Sequence, residues 1–395
     1  MTQPEQHGTT DSITDVRGLR VGHARVAGDG ALSGTTVVLA PVGGAVAAVD
    51  VRGGGPGTRE TDALDPRNVV QRIDAVVLTG GSAYGLESAA GVMAWLEERH
   101  RGVRVGPDPS HVVPVVPAAC VFDLGRGGDF TARPGPATGR AAVEAADASG
   151  DHARVETGAV GAGTGAVVGG LRGGVGTAST VLESGITVGV LVVVNAVGSA
   201  VDPATGALYG SYGDYGNPGS LGSPGSPGGS GSPGGSGSPG GSMPGGLPSF
   251  PDPAVHQAAL RRLAEAREAA APPPLNTTLA VVATDAALTR AQAQKVAGTA
   301  HDGIARALRP VHLMNDGDTV FTLATGAREL PEGPGPLALN EILAAGADLV
   351  ARAIVRAVLA APDGLRGPGG DFPSYSELYG GPHAASGPRS EPYSR

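Results

Sequence analysis

The sequence predicts a layered α/β sandwich rather than a doubly wound parallel sheet, on three observations. Strand-like β-branched runs and helical periodicities alternate only loosely, two of the strand-like runs are close enough to form a hairpin, and no clean series of strand, crossover helix and strand is present. Composition agrees. With 67 Gly, 33 Pro and 16% charged residues, the 395-residue chain reads as an Ala/Val/Gly/Leu fold interrupted by low-complexity sequence.

Residues 12–26, 35–39 and 45–51 are β-branched with Gly breaks and predict short strands joined by turns. Residues 73–78 form an apolar run ending in Thr79-Gly80-Gly81-Ser82, and a helical periodicity over 86–99 follows, with Ser82 as its expected N-cap. Residues 177–182 and 186–194 flank Glu183-Ser184-Gly185 as a hairpin whose second strand ends at Asn195. Residues 216–253 are near-repeats of Gly-Ser-Pro-Gly-Gly, a composition that cannot offset its ordering entropy by burial. A helix is expected over 254–271, stopped by Pro272-Pro273-Pro274. A strand from Thr277 to Thr284, a helix over 289–308, a strand over 319–325 and a long helix over 337–361 complete the pattern. The expected organisation is one domain over 12–361 interrupted by a 216–253 insert, with a disordered N-terminal tail (1–11) and a flexible C-terminal tail (362–395).

The formal net charge of -9 is spread along the chain, and no Lys/Arg cluster stands beside aromatics, so nucleic acid is not an expected partner. The apolar 337–361 stretch carries Glu341, Asp348, Arg352 and Arg356, each expensive at a bilayer centre, so no membrane span is expected. Cys120 is the lone cysteine and residues 1–10 lack a signal-peptide pattern, which fits a cytoplasmic protein.

Four motifs could carry chemistry. Thr79-Gly80-Gly81-Ser82 follows a strand and opens a helix, as a nucleophile elbow does, but Tyr84 stands where that elbow needs glycine, so capping or close packing is the expected role. Residues 161–166 satisfy a relaxed dinucleotide fingerprint, yet the glycines that follow disfavour the helix it requires, leaving a glycine-rich turn and no cofactor. His301-Asp302 and His312 lack metal-ligand spacing, so no metal is expected and His301 is read as packing on a helix face. Asn276-Thr277-Thr278 lies between a triple proline and a strand. If the bond before Thr277 broke, its hydroxyl would gain an α-amine with a reference pKa of about 7.7–8.0, a base carried by the nucleophile itself.

Several stretches together resemble the autoprocessing aminopeptidase family of the L-aminopeptidase D-amidase/esterase type, which includes β-peptidyl aminopeptidases. They are residues 13–16 (ITDV) with 21–23 (VGH), 52–62 (RGGGPGTRETD), 77–86 (VLTGGSAYGL), 115–124 (VVPAACVFDL), 161–176, 276–285 (NTTLAVVATD) and 300–326. The resemblance implies a four-layer αββα sandwich, similar to N-terminal nucleophile hydrolases but differently connected. It also implies self-cleavage between Asn276 and Thr277 into an α chain (1–276) and a β chain (277–395). Thr277 then matches the family's nucleophile, and Asn195 its oxyanion asparagine. Asp316 and Asp318 match two polar residues that orient the nucleophile. The family splits before a Ser or Thr; its better-studied members carry a serine nucleophile, and a serine and a glutamate in that last element, and this chain departs from those members at all three positions.

The implied activity is release of N-terminal amino acids from peptides, amides or esters with a free N-terminus, by an oligomer of αβ units. The rival readings are an acyltransferase of the ornithine acetyltransferase type, which also cuts before a threonine, and a non-enzymatic assembly protein.

Overall fold

A computed structural model describes residues 10–212, 251–269, 276–331, 336–361 and 364–380. The expected insert lies outside the described residues except for 251–253, as do Pro272-Pro273-Pro274 and Leu275.

Two five-stranded sheets form the centre. The first runs in the order Arg20–Arg25, Gly34–Leu39, Ala75–Thr79, Ala118–Cys120, Thr58–Arg59. The second runs Gly174–Val181, Thr187–Asn195, Thr277–Ala286, Thr319–Arg328, Val46–Val51. In both sheets the third and fourth strands are parallel and the remaining neighbours antiparallel. Helices Ser88–Glu97 and Pro136–Ala148 cover the outer face of the first sheet, and Arg290–Ala307 and Leu337–Leu359 that of the second. This is the αββα sandwich.

The chain builds it twice. A hairpin, a third strand, a helix, a parallel fourth strand and a second helix follow one another over residues 20–148 and again over 174–359. The fifth strands depart from this repetition, since Val46–Val51 edges the second sheet although it precedes the first sheet's third strand.

Strand alternation sorts side chains between layers. In Thr187–Asn195, Leu191 and Val193 join Leu279, Val281, Phe321 and Leu323 against Val21, Val38, Val76 and Leu78 of the other sheet. Val188, Val190, Val192 and Val194 instead meet Ala300 and Ile304 of one helix and Val350, Ile354 and Val358 of the other. Full burial of each such side chain contributes about 1.5–3 kcal/mol, so the inter-sheet layer holds the two sheets in register. Thr277–Ala286 is buried along its whole length because it lies mid-sheet with a layer on either side.

Some expectations are corrected. Ser82 caps no helix side-on: the first turn, Ser82–Gly85, starts after Gly81, with no side-chain cap bond, and the longer helix begins at Ser88. Residues 364–380, read as flexible tail, form a hairpin (Leu365–Gly367 with Gly370–Phe372) and a short helix, Tyr375–Tyr379. Pro373 O accepts from Arg172 N at 2.9 Å, and Arg262 Nη2 meets Asp371 at 2.5 Å. Those ties join residues distant in sequence, so composition alone hides them. Asp11, placed in the N-terminal tail, is paired with Arg352 and Arg356. Among the described residues, no helix is long and apolar enough to cross a membrane.

Candidate active site

The hairpin and the third strand of the second sheet put Asn195 opposite Thr277 in register, at the end where the ladder stops. Both are buried, Asn195 at 0% and Thr277 at 5% exposure, so water reaches neither freely. The Thr277 hydroxyl donates to the carbonyl oxygen of Asn276, the residue before it, at 2.7 Å. Gly317 N–H donates to the same oxygen at 3.1 Å. The carbonyl of the bond expected to break is thus already held by an amide donor, with the Thr277 hydroxyl beside it.

Asp316-Gly317-Asp318 is brought there by the strand Thr319–Arg328, which runs parallel to the Thr277 strand. Asp318 Oδ1 accepts from Thr278 N at 2.7 Å, while Oδ2 accepts from His312 N at 3.1 Å and Nδ1 at 2.8 Å. Asp316 is 1% exposed, and its Oδ2 accepts from Leu313 N at 3.2 Å. Burial, reinforced by the neighbouring Asp318 charge, pushes the Asp316 carboxyl up to about 6.

The RGGGPG run works as a backbone strap over this turn. Arg52 N donates to Asp318 O at 2.9 Å, Gly54 N to Leu313 O at 3.0 Å and Gly55 N to Asp316 O at 2.8 Å. A Cβ at Gly53 would lie 2.1 Å from Asp316 O, and one at Gly317 would lie 2.7 Å from Thr277 Oγ1, so neither position admits a side chain.

Arg126 closes the centre from the first half of the chain. It is 3% exposed, and its Nη1 donates to Asn195 Oδ1 and Gly165 O, both at 2.5 Å, while Nη2 donates to Asn276 Oδ1 at 3.0 Å. Val167 N also donates to Asn195 Oδ1, at 3.0 Å. These two donors fix the carboxamide so that Nδ2 faces Asn276 Oδ1, at 3.5 Å, and Phe122 O, at 3.4 Å. Burial lowers the Arg126 pKa to about 10, still above neutral, so the group is a cation. Nearby Asp123, 2% exposed, accepts from Gly81 N at 2.7 Å, and burial pushes its carboxyl up to about 6.

All the residues singled out from sequence, Asn195, Asn276, Thr277, Asp316 and Asp318, therefore meet at one place. The sequence reading missed Arg126, Asp123, His312 as a partner of Asp318, and the Gly317 amide. Asp123 lay within a stretch already noted, VVPAACVFDL, three residues before Arg126. The glycine-rich 161–176 run, read as a turn, supplies Gly165 O and Val167 N to the centre. His301 is buried on the face of its helix, with Nε2 3.1 Å from Asp50 O.

The αββα sandwich thus sets a buried threonine against the carbonyl of the residue before it. Residues 11–370 match the model of peptidase family S58, and the chain belongs to that family. It is a peptidase of the aminopeptidase type. It is 45% identical over 385 residues to an uncharacterized aminopeptidase of Mycobacterium tuberculosis, covering 94% of this chain and 98% of the relative. A 6-aminohexanoate-oligomer endohydrolase of Kocuria is 28% identical over 332 residues, 81% of this chain and 77% of the relative. Among solved structures, the L-aminopeptidase D-Ala-esterase/amidase of Ochrobactrum anthropi superposes with a TM-score of 0.64 at 21% identity, covering 94% of this chain and 95% of that one. A Burkholderia β-aminopeptidase does so with a TM-score of 0.63 at 22% identity, covering 94% and 93%. The last two likenesses concern the fold.

Proposed function

We propose that the chain cuts itself between Asn276 and Thr277 and that the freed Thr277 is the nucleophile of an aminopeptidase releasing the first residue of peptides, amides or esters. One observation carries this reading: the Thr277 hydroxyl lies 2.7 Å from the Asn276 carbonyl oxygen, which Gly317 N–H also holds, with Asn195 across the ladder. In maturation Thr277 Oγ bonds to the Asn276 carbonyl carbon, the C–N bond breaks, and the hydroxyl proton ends on the released nitrogen. Water then hydrolyses the ester, leaving a carboxylate on Asn276 and a free hydroxyl and amine on Thr277.

In the processed enzyme the Thr277 α-amine takes the hydroxyl proton as Oγ attacks the substrate carbonyl. The leaving amine or alcohol receives that proton, and water releases the acyl residue. With a reference pKa of about 7.7–8.0 for the amine, kcat/KM rises as pH climbs through that range. Asn195 Nδ2 and Gly317 N–H donate to the oxyanion, one such donor typically being worth about 100- to 1,000-fold. Asp318 anchors the backbone next to the nucleophile through Thr278 N. Assembly of αβ units into an oligomer is part of the proposal and is read by sedimentation.

Intact-mass spectrometry of the purified protein, together with turnover of aminoacyl amides, tests the reading. Two chains, 1–276 and 277–395, and release of the free amino acid are expected. A single full-length chain that hydrolyses the amides at full rate refutes it.

A further inference from the structure

Asn276 is the acyl residue of the maturation step, so its side chain occupies the place that the first residue of a substrate takes when Thr277 attacks again. That place has a particular chemistry. Asn276 is 6% exposed, and its Oδ1 sits between the Arg126 Nη2 donor at 3.0 Å and the Asn195 Nδ2 donor at 3.5 Å. Arg126 Nη1 is engaged by Gly165 O and Asn195 Oδ1 in any case. Nη2 faces Asn276, and once the chain is cut Asn276 has no covalent tie to Thr277. A guanidinium N–H left without an acceptor at such depth is costly, so the vacated space favours an occupant that brings one.

Resting on the self-cleavage reading, we infer that Arg126 is the specificity determinant of the acyl pocket and selects substrates whose first residue has a short side chain ending in a carbonyl or carboxylate, asparagine or aspartate. A branched apolar side chain would strand the donor and forfeit the hydrogen bond. A site built around such a bond discriminates more sharply than one built on shape.

The test compares asparaginyl, aspartyl, leucyl and alanyl p-nitroanilides on the processed wild type, Arg126→Met and Arg126→Lys, with intact masses taken on each. In wild type kcat/KM for the asparaginyl and aspartyl amides exceeds that for the leucyl amide by at least roughly 10-fold. The ratio collapses in Arg126→Met, and Arg126→Lys restores part of it. A ratio that survives in Arg126→Met, or a wild type that is split and active yet turns over leucyl and alanyl amides as well as asparaginyl, overturns the inference and leaves the proposed function standing. An unsplit wild type overturns both. Should Arg126→Met not fold, the wild-type panel still decides, joined by scission rates of the precursors. Asn276→Leu is expected to cut at least roughly 10-fold more slowly than Asn276→Asp, and equal rates overturn the inference.

Discussion

The two halves of the chain use the same order of elements, and the same place in each sheet meets opposite demands. In the first sheet the end of the second hairpin strand and the start of the third strand pair Leu39 with Ala75. In the second sheet the corresponding pair is Asn195 and Thr277. The ladder of the first sheet continues past its pair, since Ala40 N donates to the carbonyl of Asp74 at 2.8 Å. At the second sheet the antiparallel ladder stops at the pair, and the Asn276 carbonyl accepts from Gly317 N–H, within a parallel bridge of Asn276 with Asp316, and from the Thr277 hydroxyl. Each preceding residue meets an arginine. Arg101 Nε meets Asp74 at 3.0 Å, a pairing of opposite charges, whereas the group that Asn276 offers Arg126 is a neutral carboxamide. Topology thus supplies two equivalent positions, and a handful of side chains sets them apart; under the proposed function only the second is reactive.

The largest expected effect breaks the reactive position outright. Thr277→Ala yields one uncut, inactive chain by mass spectrometry and amide turnover. Its mirror, Ala75→Thr, supplies the same hydroxyl in the first half and is expected to leave the Asp74 bond whole, because Leu39 stands where the second half has Asn195.

Gly317→Ala comes next. The new Cβ would meet Thr277 Oγ1 at 2.7 Å and Gly55 O at 2.8 Å, so the turn carrying the amide donor must withdraw. Scission followed by time-resolved intact mass is expected to slow by at least about 100-fold, the worth of one oxyanion donor.

Asn195→Ala sharpens the contrast within the register pair. It is expected to lower kcat by about 100- to 1,000-fold. Leu39→Ala, at the equivalent position, is expected to cost about 2–5 kcal/mol in urea-unfolding stability through the cavity it opens.

The smallest effect is electrostatic. The folded Asp123 carboxyl keeps its proton up to about pH 6, while the unfolded chain loses it near the ordinary aspartate value of 3.8. Between those values the folded state binds more protons, so this residue's contribution to stability falls as pH rises from about 4 to 6 and then levels. Relative to Asp123→Asn, wild type is expected to lose up to about 3 kcal/mol across that window, read from urea titrations at pH 4 and pH 7.5.

Much of this was legible in local sequence. The hairpin ending at Asn195, the Thr277 strand, the helix capped by Thr289 and the long helix from Leu337 announce themselves through β-branched runs, 3.6-residue periodicity and a capping pair, signals that neighbouring residues generate. The RGGGPG and Asp316-Gly317-Asp318 stretches were visible as unusual. Their mutual contact was not, because glycine records that something passes close without naming it.

By itself the sequence determined the hairpin ending at Asn195, the Thr277 strand and the helices that follow it, and marked a hydroxyl that could become a nucleophile with its own amine. Tertiary structure alone decided what surrounds that hydroxyl. Arg126 reaches Asn276 across 150 residues of chain, Asn195 across 81, and Phe372 and Pro373 fold back onto the body although composition suggested a loose tail. A buried charge, a strapped turn and a carbonyl shared between a distant amide and the hydroxyl beside it are properties of packing between distant segments, and periodicity carries information only over a few residues.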